Sequence, residues 1–260
     1  MKSFFLMLGF FTRLPVPKIE FTEERYRRAM KLMPLVGLVV GVVIVLISLL
    51  LSVLQVPGLI RGGVLVCAYI ILTGGLHFDG LADTFDGVFS ARSREQSLEI
   101  MKDSRIGVFG LLGIVMVALL YFATFIEAPL PALLLFPLCG RACCLISASL
   151  APYAREDGMG KATSVEGGPA SVTAAIVAIV GASFLTIPFD LYVLHNNNFA
   201  LSLVCSLIAA AVAVLVTACV TAHFKKKLGG VTGDTFGAVI EISSIAYLLV
   251  FAIIYQVLPL

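Results

Sequence analysis

The chain has 260 residues, 60% of them hydrophobic and only 13% charged, with a formal net charge of +2 and a mean hydropathy of +1.05. A soluble domain carries about 25% charged residues, so a water-soluble globule is excluded, and no nucleic-acid partner is expected of so nearly balanced a charge. Apolar runs of about 20 residues recur, long enough to cross roughly 30 Å of hydrocarbon, and in lipid such runs must be helices because only a helix satisfies its own backbone.

The predicted fold class is therefore all-α: a polytopic membrane helix bundle of about seven transmembrane helices, forming a single integral membrane domain over residues 1–260. Residues 1–32 are expected to be a cytoplasmic N-terminal segment. Its apolar stretch Met1–Phe11 leads into Arg13, Pro15 and Pro17 without a small-residue cleavage site, which fits a short interfacial helix. Spans are expected at roughly 33–56, 60–78, 106–126, 132–151, 171–190, 199–222 and 238–258, separated by turn signals such as Val56-Pro57-Gly58 and Ala128-Pro129-Leu130-Pro131. Basic residues crowd the N-terminal segment and every second connection after it (Arg92 to Arg105, Arg155 and Lys161, Lys225 to Lys227), whereas the opposite connections hold only Arg61. The positive-inside rule places that charged side in the cytoplasm and the protein in the cell inner membrane, with the N-terminus cytoplasmic. The six cysteines lie in apolar runs without metal-ligand spacing and are expected to be packing residues.

The second span runs into Gly74-Gly75-Leu76-His77-Phe78-Asp79-Gly80-Leu81-Ala82-Asp83-Thr84-Phe85-Asp86-Gly87. If the helix continues, Asp79, Asp83 and Asp86 stand at i, i+4 and i+7 on one face. Carboxylates stacked in this way repel by a few tenths of a kcal/mol per pair, and by more near lipid. A divalent cation would offset that, and hard oxygen donors suit Mg²⁺ or Mn²⁺ with positions left for water and substrate phosphate. The spacing Asp83-x-x-Asp86-Gly87, with Ala91-Arg92 following, is similar to the metal signature of CDP-alcohol phosphotransferases. Ala-Arg comes one residue late and the usual downstream glycine and aspartates do not follow, so the likeness is one of chemistry.

The remaining connections on that side add candidates. Lys102 and Arg105 at i, i+3 could clamp phosphate oxygens. Arg141 is a lone cation inside the fourth span, where a charge needs a partner or a role. Tyr153 to Lys161 contains Gly-x-Gly-Lys without P-loop spacing and offers a gripping loop in Arg155 and Lys161. Gly229, Gly230 and Gly233 would let backbone N–H groups approach a phosphate ahead of the last helix, with Asp234 and then Glu241 as further metal ligands.

Taken together, Phe11-Thr12-Arg13-Leu14-Pro15, Gly74 to Gly87, Leu98 to Gly110, Tyr153 to Lys161 and Gly229 to Glu241 resemble, in order, the motifs of cobalamin synthase, the membrane adenosylcobinamide-GDP ribazoletransferase family. Phe78 stands where an aliphatic residue is expected. The resemblance implies the last step of coenzyme B₁₂ assembly: the 5′-hydroxyl of α-ribazole, or of its 5′-phosphate, attacks the cobinamide-linked phosphorus of adenosylcobinamide-GDP and GMP leaves. On it, Asp79, Asp83, Asp86, Asp234 and Glu241 would hold Mg²⁺. Lys102, Arg105 and Arg141 would neutralise phosphate oxygens, and His77 or an aspartate would take the proton. Arg13, Asp103, Arg155, Lys161 and the three glycines 229, 230 and 233 would contact substrate. Beyond substrates and the lipid bilayer, a homo-oligomer or a complex with other corrinoid-assembly enzymes stays open. A CDP-alcohol-type phosphotransferase and a cation-coupled secondary transporter are the rival functions; clustered acids at one boundary, without paired broken helices, weigh against transport.

Overall fold

The computed structural model describes residues 1–156, 158, 160–161, 168–193 and 199–257; His195 lies outside them. Among the described residues the regular elements are helices, with no strand. In chain order they are α1 (Lys2–Phe11), α2 (Glu23–Ala29), α3 (Met33–Val53), α4 (Gly58–Thr73), α5 (Leu76–Phe89), α6 (Arg94–Ile100), α7 (Val108–Phe125), α8 (Leu130–Leu150), α9 (Pro169–Ser183), α10 (Phe199–Leu228) and α11 (Gly233–Val257). A 3₁₀ turn, Met30–Leu32, joins α2 to α3, and α9 ends in the short turns Thr186–Pro188 and Phe189–Val193.

Six helical stretches are long and apolar enough to cross a membrane, and a seventh crossing is counted if α4 and α5 are taken as one span. That pair is not the straight helix expected over 60–78. It is bent by 91° at Gly74-Gly75, where both residues are left-handed, with φ of 65° and 70°. Gly74 N–H donates to Ile71 O at 3.1 Å and Gly75 N–H to Ile70 O at 3.0 Å, so the turn closes the end of α4. Two successive left-handed residues are cheap only for glycine. Beyond the bend, α5 packs against α7 and α11.

The last helix also starts earlier than expected, at Gly233. Thr232 caps it: Thr235 N–H donates to Thr232 Oγ1 at 3.2 Å, while Thr232 N–H donates to Thr235 Oγ1 at 2.7 Å. This reciprocal pair works as a capping box with threonine in the third position.

The centre of the bundle is α8, buried continuously from Pro131 to Ala148 and packed by α3, α10 and α11. Gly37 and Gly41 let α3 come down onto the backbone of Leu134 and Pro137, where a methyl group would collide. This is the small-xxx-small contact by which membrane helices gain close packing. The outer helices expose apolar side chains, including Leu46, Val53, Leu119, Val177 and Leu215. A surface of this kind is stable against lipid and not against water. The molecule is a multi-pass membrane protein.

The basic connections meet at one end. Arg94 Nε donates to Leu228 O at 2.7 Å and its Nη2 to Ala154 O at 3.2 Å. Lys227 Nζ reaches Ser90 O at 3.1 Å and Arg92 O at 2.9 Å. Arg13 N–H donates to Leu72 O at 2.8 Å, bringing the N-terminal segment to the same elbow.

Candidate active site

At this end α5 crosses the start of α11 at glycine contacts. A Cβ on Gly80 would lie 2.8 Å from Asp234 O, and one on Gly237 would lie 3.1 Å from His77 O. The crossing delivers the acids of α5 to Asp234 at the N-terminus of α11. A second close approach brings in Arg155: Ala154 N–H donates to Val231 O at 2.8 Å and Val231 N–H to Pro152 O at 2.9 Å. This short parallel bridge places the Arg155 guanidinium 2.8 Å from Asp234 Oδ2. Burial first, and then the charges of Asp234, Asp79 and Asp86, lift the Asp83 carboxyl to about 7, with Arg155 opposing.

These carboxylates therefore share one electrostatic neighbourhood. Among the described residues no three acidic, histidine or cysteine side chains form a ready-made metal cage. Mg²⁺ does not need one, because it dehydrates reluctantly and is commonly held by one or two carboxylates plus substrate phosphates. Crowded hard-oxygen donors with a single opposing arginine fit a site that a diphosphate would complete.

Beside them lies a cavity of about 150 Å³. Its polar side carries Asp79, Asp234 and His77, together with Gly160 and Gly233; its apolar side is formed by the N-terminal helices, with Phe10, Phe11, Tyr26, Met30 and Met33. The glycine-rich loop before α11 therefore does reach the cavity, through Gly233. Gly229 and Gly230 serve the scaffold instead. Gly229, at φ 79°, packs on Arg94, and Gly230 packs on the Pro152 carbonyl.

Several expected ligands are employed elsewhere. Asp86 accepts from Gly107 N–H at 2.7 Å and from Gly110 N–H at 2.9 Å. It caps the N-terminus of α7, where a carboxylate meets free amides and the positive end of the helix dipole. A side chain at Gly107 or Gly110 would collide with this carboxylate, which explains the glycine pair. Glu241 is fully buried and accepts from Tyr69 Oη at 3.0 Å and Tyr121 Oη at 2.8 Å. It belongs to an internal network rather than to the aspartate cluster. His77 Nδ1 lies 3.4 Å from Glu241 Oε1, so the imidazole is flanked by that network on one side and by the cavity on the other.

Arg141 is likewise fully buried, with Nη1 donating to Pro137 O at 3.1 Å. Its charge acts on Tyr69, His77 and Cys144, behind the cavity rather than within it. Arg105 is paired with Asp103 at 2.6 Å and is largely exposed, and hydrogen bonds from Arg105 hold the Asp103 carboxyl down at about 2. Lys102 shares an open ledge with Arg92, Glu99 and Asp103, away from the cavity lining. Lys161 Nζ donates to Glu156 O, and Arg13 packs over Gly74 at the elbow. Sequence reasoning missed Arg94, whose guanidinium ties three connections together; its only signal is its place among the basic residues.

Residues 3–252 match the family model described as cobalamin-5-phosphate synthase. A protein of Acetivibrio thermocellus named adenosylcobinamide-GDP ribazoletransferase is 40% identical over 257 residues, covering 96% of this chain and 97% of its own. Proteins with the same name from Fusobacterium nucleatum (35% identical over 274 residues, 98% of each chain) and Escherichia coli (36% over 263 residues, 95% of this chain and 98% of its own) are also similar. No solved structure matches.

Proposed function

The chain belongs to the cobalamin-5-phosphate synthase family, and we propose that it is an adenosylcobinamide-GDP ribazoletransferase whose reaction takes place at the acidic end of the bundle. The observation that carries this reading is the meeting of Asp79, Asp83 and Asp234 with Arg155 beside a cavity that Asp79 and Asp234 line, because a diphosphate ester needs charge neutralisation and alignment more than covalent help. In the reaction, the 5′-hydroxyl oxygen of α-ribazole (or its 5′-phosphate) bonds to the cobinamide-bearing phosphorus. The bridging P–O bond breaks and GMP leaves with the electron pair.

Asp79, Asp83 and Asp234 would hold Mg²⁺, which when bound supplies positive charge to the diphosphate oxygens and the departing phosphate. Arg155, already at Asp234, adds a fixed cation that holds phosphate in register. His77 faces the cavity with its Nε2 free of a hydrogen-bond partner in the structure. It is the group placed to receive the hydroxyl proton, with Glu241 behind it fixing the ring. Asp86 holds α7 in position and is not a metal ligand on this reading. By the positive-inside rule, the gathering of basic connections at the same end supports a site on the cytoplasmic side of the cell inner membrane, with the N-terminus inside.

The test is GMP release from adenosylcobinamide-GDP and α-ribazole by the purified protein, with and without EDTA. Transfer that stops with EDTA and returns with Mg²⁺ is expected. Full transfer under EDTA would remove the metal, and no GMP under any condition would remove the assignment.

A further inference from the structure

The apolar side of the cavity has no part in phosphate chemistry. Tyr26 is 4% exposed, Phe11 7%, Met30 2% and Met33 1%. Phe10 meets Tyr26 edge-on at 5.3 Å and Phe11 at 4.9 Å, so three rings and two thioethers make one continuous wall. A volume of about this size accommodates an aromatic ring of benzene size against an apolar wall. Methionine adapts its shape to a flat ring, and sulfur–aromatic contacts are favourable. Beside the wall stands His77, its ring 5.9 Å from that of Phe11 and its side chain 3% exposed, with Nε2 lacking a hydrogen-bond partner. A buried polar atom of that kind can be satisfied by the hydroxyl of a guest.

Resting on the function proposed above, we infer that the wall formed by α1, α2 and the start of α3 is the subsite for the base of the nucleophilic nucleoside. The guest is an uncharged fused aromatic ring, seated against Tyr26, Met30 and Met33 with its ribose directed toward His77 and the aspartates. A corrin ring is far too large for this space. A guanine offers a polar edge of donors and acceptors to an apolar wall, which would leave them unpaired at a cost of about 1–3 kcal/mol each. A fused aromatic base with an apolar outer edge suits it. The N-terminal segment is therefore a substrate-reading element as well as a membrane anchor.

The experiment is steady-state GMP release by full-length protein in detergent, with α-ribazole and adenosylcobinamide-GDP varied separately. In Tyr26→Ala, loss of a stacking face should raise KM for α-ribazole roughly 10- to 100-fold. KM for adenosylcobinamide-GDP and kcat should stay within about threefold, and Tyr26→Phe, which keeps the ring, should raise KM for α-ribazole less than Tyr26→Ala does. Tyr26→Leu, which keeps the wall filled, serves if the alanine variant does not fold, and should show the same one-sided KM change. A rise in KM for adenosylcobinamide-GDP instead would assign the wall to guanine, and unchanged KM values in a folded variant would leave it structural; either result overturns the inference. Both leave the transferase reading intact, which fails only if the wild-type protein releases no GMP.

Discussion

Replacing Asp86 separates a helix cap from a metal ligand, because asparagine preserves the first role and damages the second. Both carboxylate oxygens receive amides of α7, at 2.7 and 2.9 Å, in a partly buried position. Capping substitutions cost about 0.5–2 kcal/mol. Two charge-assisted bonds at a helix N-terminus put Asp86→Ala near the top of that range, at about 2 kcal/mol, or roughly 30-fold in the local opening equilibrium. Asp86→Asn keeps one good acceptor and loses the charge, so about 1 kcal/mol, or roughly fivefold, is expected. Hydrogen exchange at Gly107 and Gly110 in detergent should rank wild type, asparagine and alanine in that order. Transfer by Asp86→Asn should remain within about tenfold of wild type, with an unchanged Mg²⁺ midpoint. Wild-type exchange together with a Mg²⁺ dependence displaced to high concentration would refute the cap and restore Asp86 to the metal.

Asp83→Asn and Asp234→Asn should each lower the rate of GMP release about 10²- to 10³-fold, the loss typical of a group that meets transition-state charge; activity near wild type would displace them from the centre. Asp103→Asn should change it by no more than about threefold, because Asp103 is engaged with an exposed Arg105; a large loss would make the outer ledge part of the reaction. Tyr69→Phe and Tyr121→Phe each deprive buried Glu241 of a donor and should cost about 1–3 kcal/mol, with the double variant less than additive. Thermal unfolding in detergent measures both, and additive losses would mean the tyrosines act separately. Gly237→Ala should cost about 1–3 kcal/mol by forcing α5 off α11; a wild-type melting point would show that the crossing tolerates a methyl group.

The spans were legible because lipid imposes a length and an apolarity that nothing else in the chain mimics. The one-sided charge was legible too, and the connections it marks do converge. Helical spacing correctly put the acids of α5 on a helix, but spacing says nothing of which neighbour each acid meets. Asp86 finds amides 21 and 24 residues away, and Glu241 finds a tyrosine 172 residues away. The glycines at 107 and 110 are explained only by the Asp86 carboxylate that packs on them. Gly74-Gly75 announced a break without giving its direction. One broken span is present, α4 with α5, and the described residues hold no second one to pair with it.

The right-angled elbow has a consequence for how the acids relate to the bilayer. Along a spanning helix, four residues would sink each carboxylate about 6 Å further into hydrocarbon. Bent 91° away from α4, the same four residues carry it across the direction of α4 instead. Asp79 and Asp83 are then stepped sideways from each other, so that one ion or one phosphate group can meet both.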